Sequence, residues 1–162
     1  MIWDTTTIDV RDKVVYLVYG GNKNDVPTDR IVDNILNIVK KEHLLLKFHP
    51  LEYGVKYEPI KECLIKDRSI PWELVALNNY NEHFMVVSFT SNSLTNPGFY
   101  WGISIPTVSL ADCKDYNAGI NNNQYVSHVI DYCKKNTSLN FPESEEAFNI
   151  ILQQFINEVK EK

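Results

Sequence analysis

The residues that could do chemistry in this sequence are few, and their spacing suits little of it. There are three cysteines, Cys63, Cys113 and Cys133, and four histidines. A nucleophilic thiol needs an activating base beside it, usually histidine, and on a helix the two share a face only at three or four residues' spacing. Cys133 and His128 stand five residues apart on one predicted helix. Cys133 also falls on the apolar side of that helix, where a thiol acts as a small hydrophobe. Cys113, His128 and Asp131 are the best constellation left for a small enzyme, and only the fold could assemble them.

Metal chemistry is no better served. No C-x-x-C or H-E-x-x-H spacing occurs, and no Cys/His cluster reads as zinc. His43 and His49 flank an apolar segment with no acid at ligand spacing, and His43 is expected at a helix C-terminus, where partial positive charge is favourable. Glu82-His83 reads as a solvated turn before a strand. Gly20-Gly21-Asn22-Lys23 follows a strand and precedes a helix, as phosphate loops do. It lacks both G-x-x-x-x-G-K-[ST] and G-x-G-x-x-G, so a turn is expected. No metal or cofactor is expected, and binding is favoured over catalysis.

The chain has 162 residues, 44% hydrophobic and 23% charged, which fits one globular domain over 1–162. A chain this long can build a core without disulfides or metal. The three thiols are expected to be reduced. Met1-Ile2-Trp3-Asp4 has no signal-peptide character, and no apolar run approaches a membrane span. The expected location is cytoplasmic, with no membrane partner. The net charge is −5, of which −1 lies in residues 1–81 and −4 in residues 82–162. Such a surface repels phosphate backbones, which argues against nucleic acid as a partner and suits a basic protein.

Pattern then places the elements. Lys13 to Tyr19 is β-branched and aromatic and reads as a central strand, with a weaker edge strand over Thr5 to Val10. Ile31, Ile35, Ile38 and Val39 share one face of a helix predicted over 29–42, with Thr28 as its N-cap. Leu44 to Phe48 reads as a short strand. Trp72 to Leu77 fits helix or strand, and Pro59 marks an edge or break. Phe84 to Phe89 and Phe99 to Ile105 read as two strands joined by a polar loop, hence an antiparallel pair. Ser109 caps a short turn. A helix is predicted over 122–134, and a last one opens at Pro142 with Phe148, Ile151, Leu152, Phe155, Ile156 and Val159 as its apolar stripe. The expected class is therefore α+β: a mainly antiparallel sheet packed by three to four helices.

Asp112, Asp115, Glu143, Glu145 and Glu146 make the C-terminal third acidic. Clustered acids of this kind raise association rates with a basic partner. Tyr100, Trp101 and Tyr116 are aromatic types favoured at binding hot spots. The segment Trp101-Gly102-Ile103-Ser104-Ile105-Pro106, followed by a polar turn and a helix, resembles the immunity proteins of bacterial contact-dependent growth inhibition systems, the CdiI group. That resemblance implies an inhibitor without catalysis. Its partner would be a cognate toxin C-terminal domain, often a nuclease, whose active site or substrate surface it masks. In some members of that group a toxin hairpin adds to a sheet edge, where unpaired backbone groups are available. Tyr100, Asp112, Asp115, Tyr116, Glu143, Glu145 and Glu146 are the residues expected at such a toxin interface.

Overall fold

The computed structural model describes residue 5 and residues 8–18, 27–49, 58–89, 92–116 and 139–161. Five strands form one sheet: β1 (Lys13–Val18), β2 (Leu44–Phe48), β3 (Phe84–Ser88), β4 (Thr107–Ser109) and β5 (Leu139–Asn140). Their order is β2-β1-β3-β4-β5, and every pairing is parallel. Four α-helices accompany them among the described residues: α1 (Thr28–Ile38), α2 (Trp72–Asn78), α3 (Asn96–Trp101) and α4 (Glu145–Lys160).

The antiparallel α+β expectation is thus overturned, and the fold is α/β. Burial explains why. Val14 to Val18 and Phe84 to Ser88 are buried at every position. A strand covered on both faces reads as a continuous apolar run, which is the mark of a parallel sheet between helix layers. Val14, Tyr16 and Val18 point to one layer, with Ile31, Val32 and Ile35 of α1 and Phe148, Leu152, Phe155 and Ile156 of α4. Val15 and Leu17 point to the other, with Trp72, Val75 and Ala76 of α2 and with Leu94 and Ile105.

The antiparallel expectation rested on Phe99 to Ile105 as a strand. That segment instead contains the end of α3, a turn and an extended lead into β4. Pro97 lies in the first turn of α3, where a missing N–H costs nothing. Gly102 closes the helix at φ +65°. Its N–H donates to the Gly98 carbonyl at 3.1 Å, and the Ile103 N–H donates to that of Pro97 at 3.2 Å. Pro106 precedes β4; it does not end a strand. A Cβ at Gly102 would meet nothing within 4 Å, so a side chain there costs only backbone strain. Gly102→Ala is expected to lower stability by about 1 kcal/mol, measured by urea unfolding. An unchanged midpoint would contradict the left-handed turn.

Other boundaries shift less. α1 stops at Ile38 because Val39 turns extended, and a short 3-10 turn over Lys41–His43 leads into β2. Trp72 to Leu77 proves helical. Thr5 and residues 8–10 form no strand. α4 begins at Glu145, not Pro142: the Ser144 side chain accepts from the Ala147 N–H at 3.2 Å, and the Asp115 carboxylate accepts from the Glu145 N–H at 2.8 Å. The helix predicted over 122–134 lies outside the described residues, as do the segments 19–26 and 50–57. Among the described residues, no helix is long and apolar enough to cross a membrane.

Candidate ligand site at the carboxyl edge of the sheet

β1 lies between β2 and β3: the chain crosses from β1 to β2 on one side of it, then from β2 back past β1 to β3 on the other. The path to β2 runs through α1 on one face. The paths to β3 and then β4 run through α2 and α3 on the other. Right-handed crossovers to opposite sides must place their helices on opposite faces. The two connections therefore part above the carboxyl ends of β1 and β3. In open parallel sheets the crevice at such a switch point is where ligands sit.

The Leu17 rung, one short of the Val18–Phe48 pair that ends β1 and β2, is chemically different from the rungs beneath it. Leu17 aligns with Lys47 on one side and with Ser88 on the other, and Ser88 aligns with Ser109. Lys47, Ser88 and Ser109 are all buried. Two rungs further into the sheet, on the same face, Val15 stands between Leu45 and Val86. The Ser88 hydroxyl donates to the Leu17 carbonyl at 2.9 Å, and that of Ser109 to the Phe89 carbonyl at 3.2 Å. Lys47 Nζ donates to the Phe48 and Arg68 carbonyls at 3.0 and 2.8 Å. Burial pulls the Lys47 ammonium below its usual range, against the attraction of Asp67.

On the α1 side of the crevice, no side chain among the described residues caps the helix start. Pro27 holds the N-cap position and supplies no side-chain cap, so the expected Thr28 cap is not made. The first intrahelical bond runs from the Ile31 N–H to the Pro27 carbonyl at 3.0 Å. The N–H groups of the preceding turn are the ones that bind anions at helix starts. Beneath them lies Tyr16, fully buried. Its hydroxyl has no hydrogen-bond partner among the described residues. Thr28 is its polar neighbour, yet the two do not meet in hydrogen-bond geometry. Burial pushes the Tyr16 phenol well above its usual range, so the group stays protonated and can donate.

The residues expected at a toxin interface divide in two. Asp115, Tyr116, Glu143 and Glu145 come together between the loop after β4 and the start of α4. Arg30 ties them: its Nη1 donates to the Asp115 carbonyl and its Nη2 to Glu145 Oε2, each at 2.8 Å. The same guanidinium lies 5.3 Å from the Tyr116 ring centre. Glu143 pairs with Lys114 at 3.5 Å. Glu146 is exposed in the first turn of α4, Asp112 is half-buried nearby in sequence, and Tyr116 is buried. Tyr100 belongs elsewhere. It is 66% exposed on α3, with Phe99 edge-on at 5.1 Å and Trp101 at 6.4 Å.

The enzyme constellation finds no footing in the described residues. Cys113 is fully buried, and burial pushes its thiol up, away from the reactive thiolate. His128 and Asp131 lie outside the described residues. His43 Nδ1 sits 2.8 Å from the Asp12 backbone oxygen. His83 is no free turn residue: it stacks on Phe155 at 4.7 Å and bridges Asp12 and Glu158. Both lie at the amino end of the sheet, away from the crevice. A cavity of about 30 Å³ lies between α2, α3 and β4, room for one water. Trp72 lines it, and the Trp72 Nε1 has no acceptor among the described residues.

Strand order and the two helix layers define an α/β doubly wound fold. No protein-family model, curated protein or solved structure matches the chain.

Sequence reading missed Tyr16, Lys47, Ser88 and Ser109. Lys47 alone left a signal, a single charge inside the apolar run Leu44-Leu45-Leu46-Lys47-Phe48.

Proposed function

We propose that this chain is a ligand-binding α/β domain that takes a phosphate-bearing small molecule, of the nucleotide class, in the crevice above β1 and β3. The observation that carries the reading is the start of α1, uncapped by any described side chain and set at the strand-order reversal over the Tyr16 hydroxyl, which has no partner among the described residues. Helix N–H groups and the helix dipole favour negative charge there. The acidic net charge does not oppose this, because a bound group responds to the local field and not to the sum. The reading assigns recognition to the chain. Among the described residues no nucleophile and base stand together at the crevice.

Thermal unfolding in pyrophosphate, nucleoside monophosphates and nucleoside diphosphates tests it, against chloride at matched ionic strength. A ligand that binds only the folded state raises the midpoint with concentration. A saturable rise specific to the phosphates supports the reading. No rise beyond the chloride control up to on the order of 10 mM ligand would remove it.

A second reading, the immunity protein, is favoured by one observation: the exposed aromatic row Phe99, Tyr100 and Trp101. Aromatic residues in such a row are the anchor types of protein interfaces. Growth of cells expressing the toxin domain encoded next to this chain, with and without it, tests that reading. Rescue that Tyr100→Ala abolishes supports it, and arrest without rescue sinks it.

A further inference from the structure

We infer that Arg30 is the side chain that takes the ligand's phosphate in the crevice, in competition with Glu145; this rests on the ligand-binding reading above. Arg30 stands in the first turn of α1. The first intrahelical bond runs from Ile31 to Pro27, so the N–H groups of Thr28, Asp29 and Arg30 precede it. The guanidinium thus starts from the same turn as the anion-binding amides. Four residues on, Asn34 bonds Asn149 of α4, so Arg30 lies on the stripe of α1 that faces α4. α4 also begins at the carboxyl edge, since parallel β5 leads into it. Tyr16 and Tyr116, whose ring lies under the guanidinium, both belong to this helix layer.

The guanidinium is held in place yet still able to donate. The Asp115 carbonyl and the Glu145 carboxylate take two of its N–H groups, each at 2.8 Å, and the Tyr116 ring centre lies 5.3 Å away. An arginine has five N–H donors in a planar fork that matches phosphate. The side chain is 56% exposed, so a ligand can reach the remaining donors. The contacts fix the side chain before a ligand arrives, which lowers the entropic cost of binding. A clamp between α1 and α4 does not account for them. A solvated ion pair contributes little, and the apolar cluster already joins the two helices. Two carboxylates oppose an anion in this corner. Asp29 is exposed on the same turn, and Glu145 is bonded to the guanidinium. The fork of Arg30 therefore decides whether a phosphate binds, and Glu145 is the group that the phosphate displaces.

Arg30→Gln and Glu145→Gln separate this role from a structural one. The measurement is the thermal midpoint of wild type and each variant as a function of inorganic pyrophosphate, with chloride at equal ionic strength as control. Losing hydrogen bonds from a charged donor weakens pyrophosphate binding about tenfold or more in Arg30→Gln. Removing the competing carboxylate strengthens it about threefold in Glu145→Gln. Opposite signs are the expected result, whereas a clamp broken from either side gives the same sign twice. Pyrophosphate dependence that Arg30→Gln leaves at the wild-type value, or that Glu145→Gln fails to strengthen, overturns the inference and leaves the ligand reading standing. A wild type that does not respond to pyrophosphate removes both. Arg30→Lys keeps the charge without the fork and repeats the comparison should Arg30→Gln not fold, with weaker binding than wild type expected. Failure of both to fold makes Arg30 structural and overturns the inference.

Discussion

Phe148→Ala is expected to destabilise the protein by about 3–5 kcal/mol, the largest loss from any single substitution considered. Phe148 is fully buried. It sits in the first turns of α4, where it packs with Tyr16, Val18 and Ile35 in one continuous cluster. Removing the ring forfeits its transfer free energy and leaves a void that close-packed neighbours fill only in part. The rest of the α1–α4 contact cannot compensate. The Arg30–Glu145 ion pair is largely solvated, with Arg30 56% exposed, and such pairs contribute little. Asn34 donates to Asn149 at 2.7 Å, which satisfies two polar groups and adds about 1 kcal/mol. Urea unfolding measures the change. A loss under about 1 kcal/mol would mean that α4 does not cover the sheet as described.

Tyr16→Phe is expected to do the reverse. A buried hydroxyl without a partner costs roughly 1–3 kcal/mol, and phenylalanine fills the same space without it. Stability in phosphate-free buffer should therefore rise by about 1 kcal/mol. If the hydroxyl donates to the ligand, pyrophosphate stabilisation of the same variant should weaken. Opposite signs in the two measurements are the signature of a group kept for binding at a cost in stability. A Tyr16→Phe variant that is less stable without ligand would show that the hydroxyl already has a partner.

How much of this was legible in the sequence depends on which residues carried the signal. β1, β2, β3, α1 and α4 could each be placed, because long apolar or amphipathic segments declare their type. Strand direction could not be read the same way. The clue was present: Val14-Val15-Tyr16-Leu17-Val18 and Phe84-Met85-Val86-Val87 do not alternate, and a strand with one wet face would. Phe99-Tyr100-Trp101 outweighed it. Aromatic residues favour strands, but here Pro97 starts a helical turn and Gly102 ends it, and the rings project into solvent.

The site was less legible still. Tyr16 and Ser88 sit inside apolar runs and look like core. Their meaning comes from strand order, which aligns Lys47, Leu17, Ser88 and Ser109 from segments up to 92 residues apart in the chain. The acidic residues were conspicuous for a different reason. Glu145 and Glu146 lie at a helix start and Asp115 caps that same helix, so local structure already accounts for them.

The most direct measurement of the central claim is a backbone amide NMR titration with pyrophosphate and a nucleoside diphosphate. The structure predicts the largest shifts at Val18, Thr28, Asp29 and Arg30, Phe89 and Leu110, the residues around the carboxyl ends of β1, β3 and β4 and the start of α1. Shifts confined to α3 or to the Asp115–Glu145 cluster, or no shifts at saturating ligand, would contradict a ligand site at the strand-order reversal.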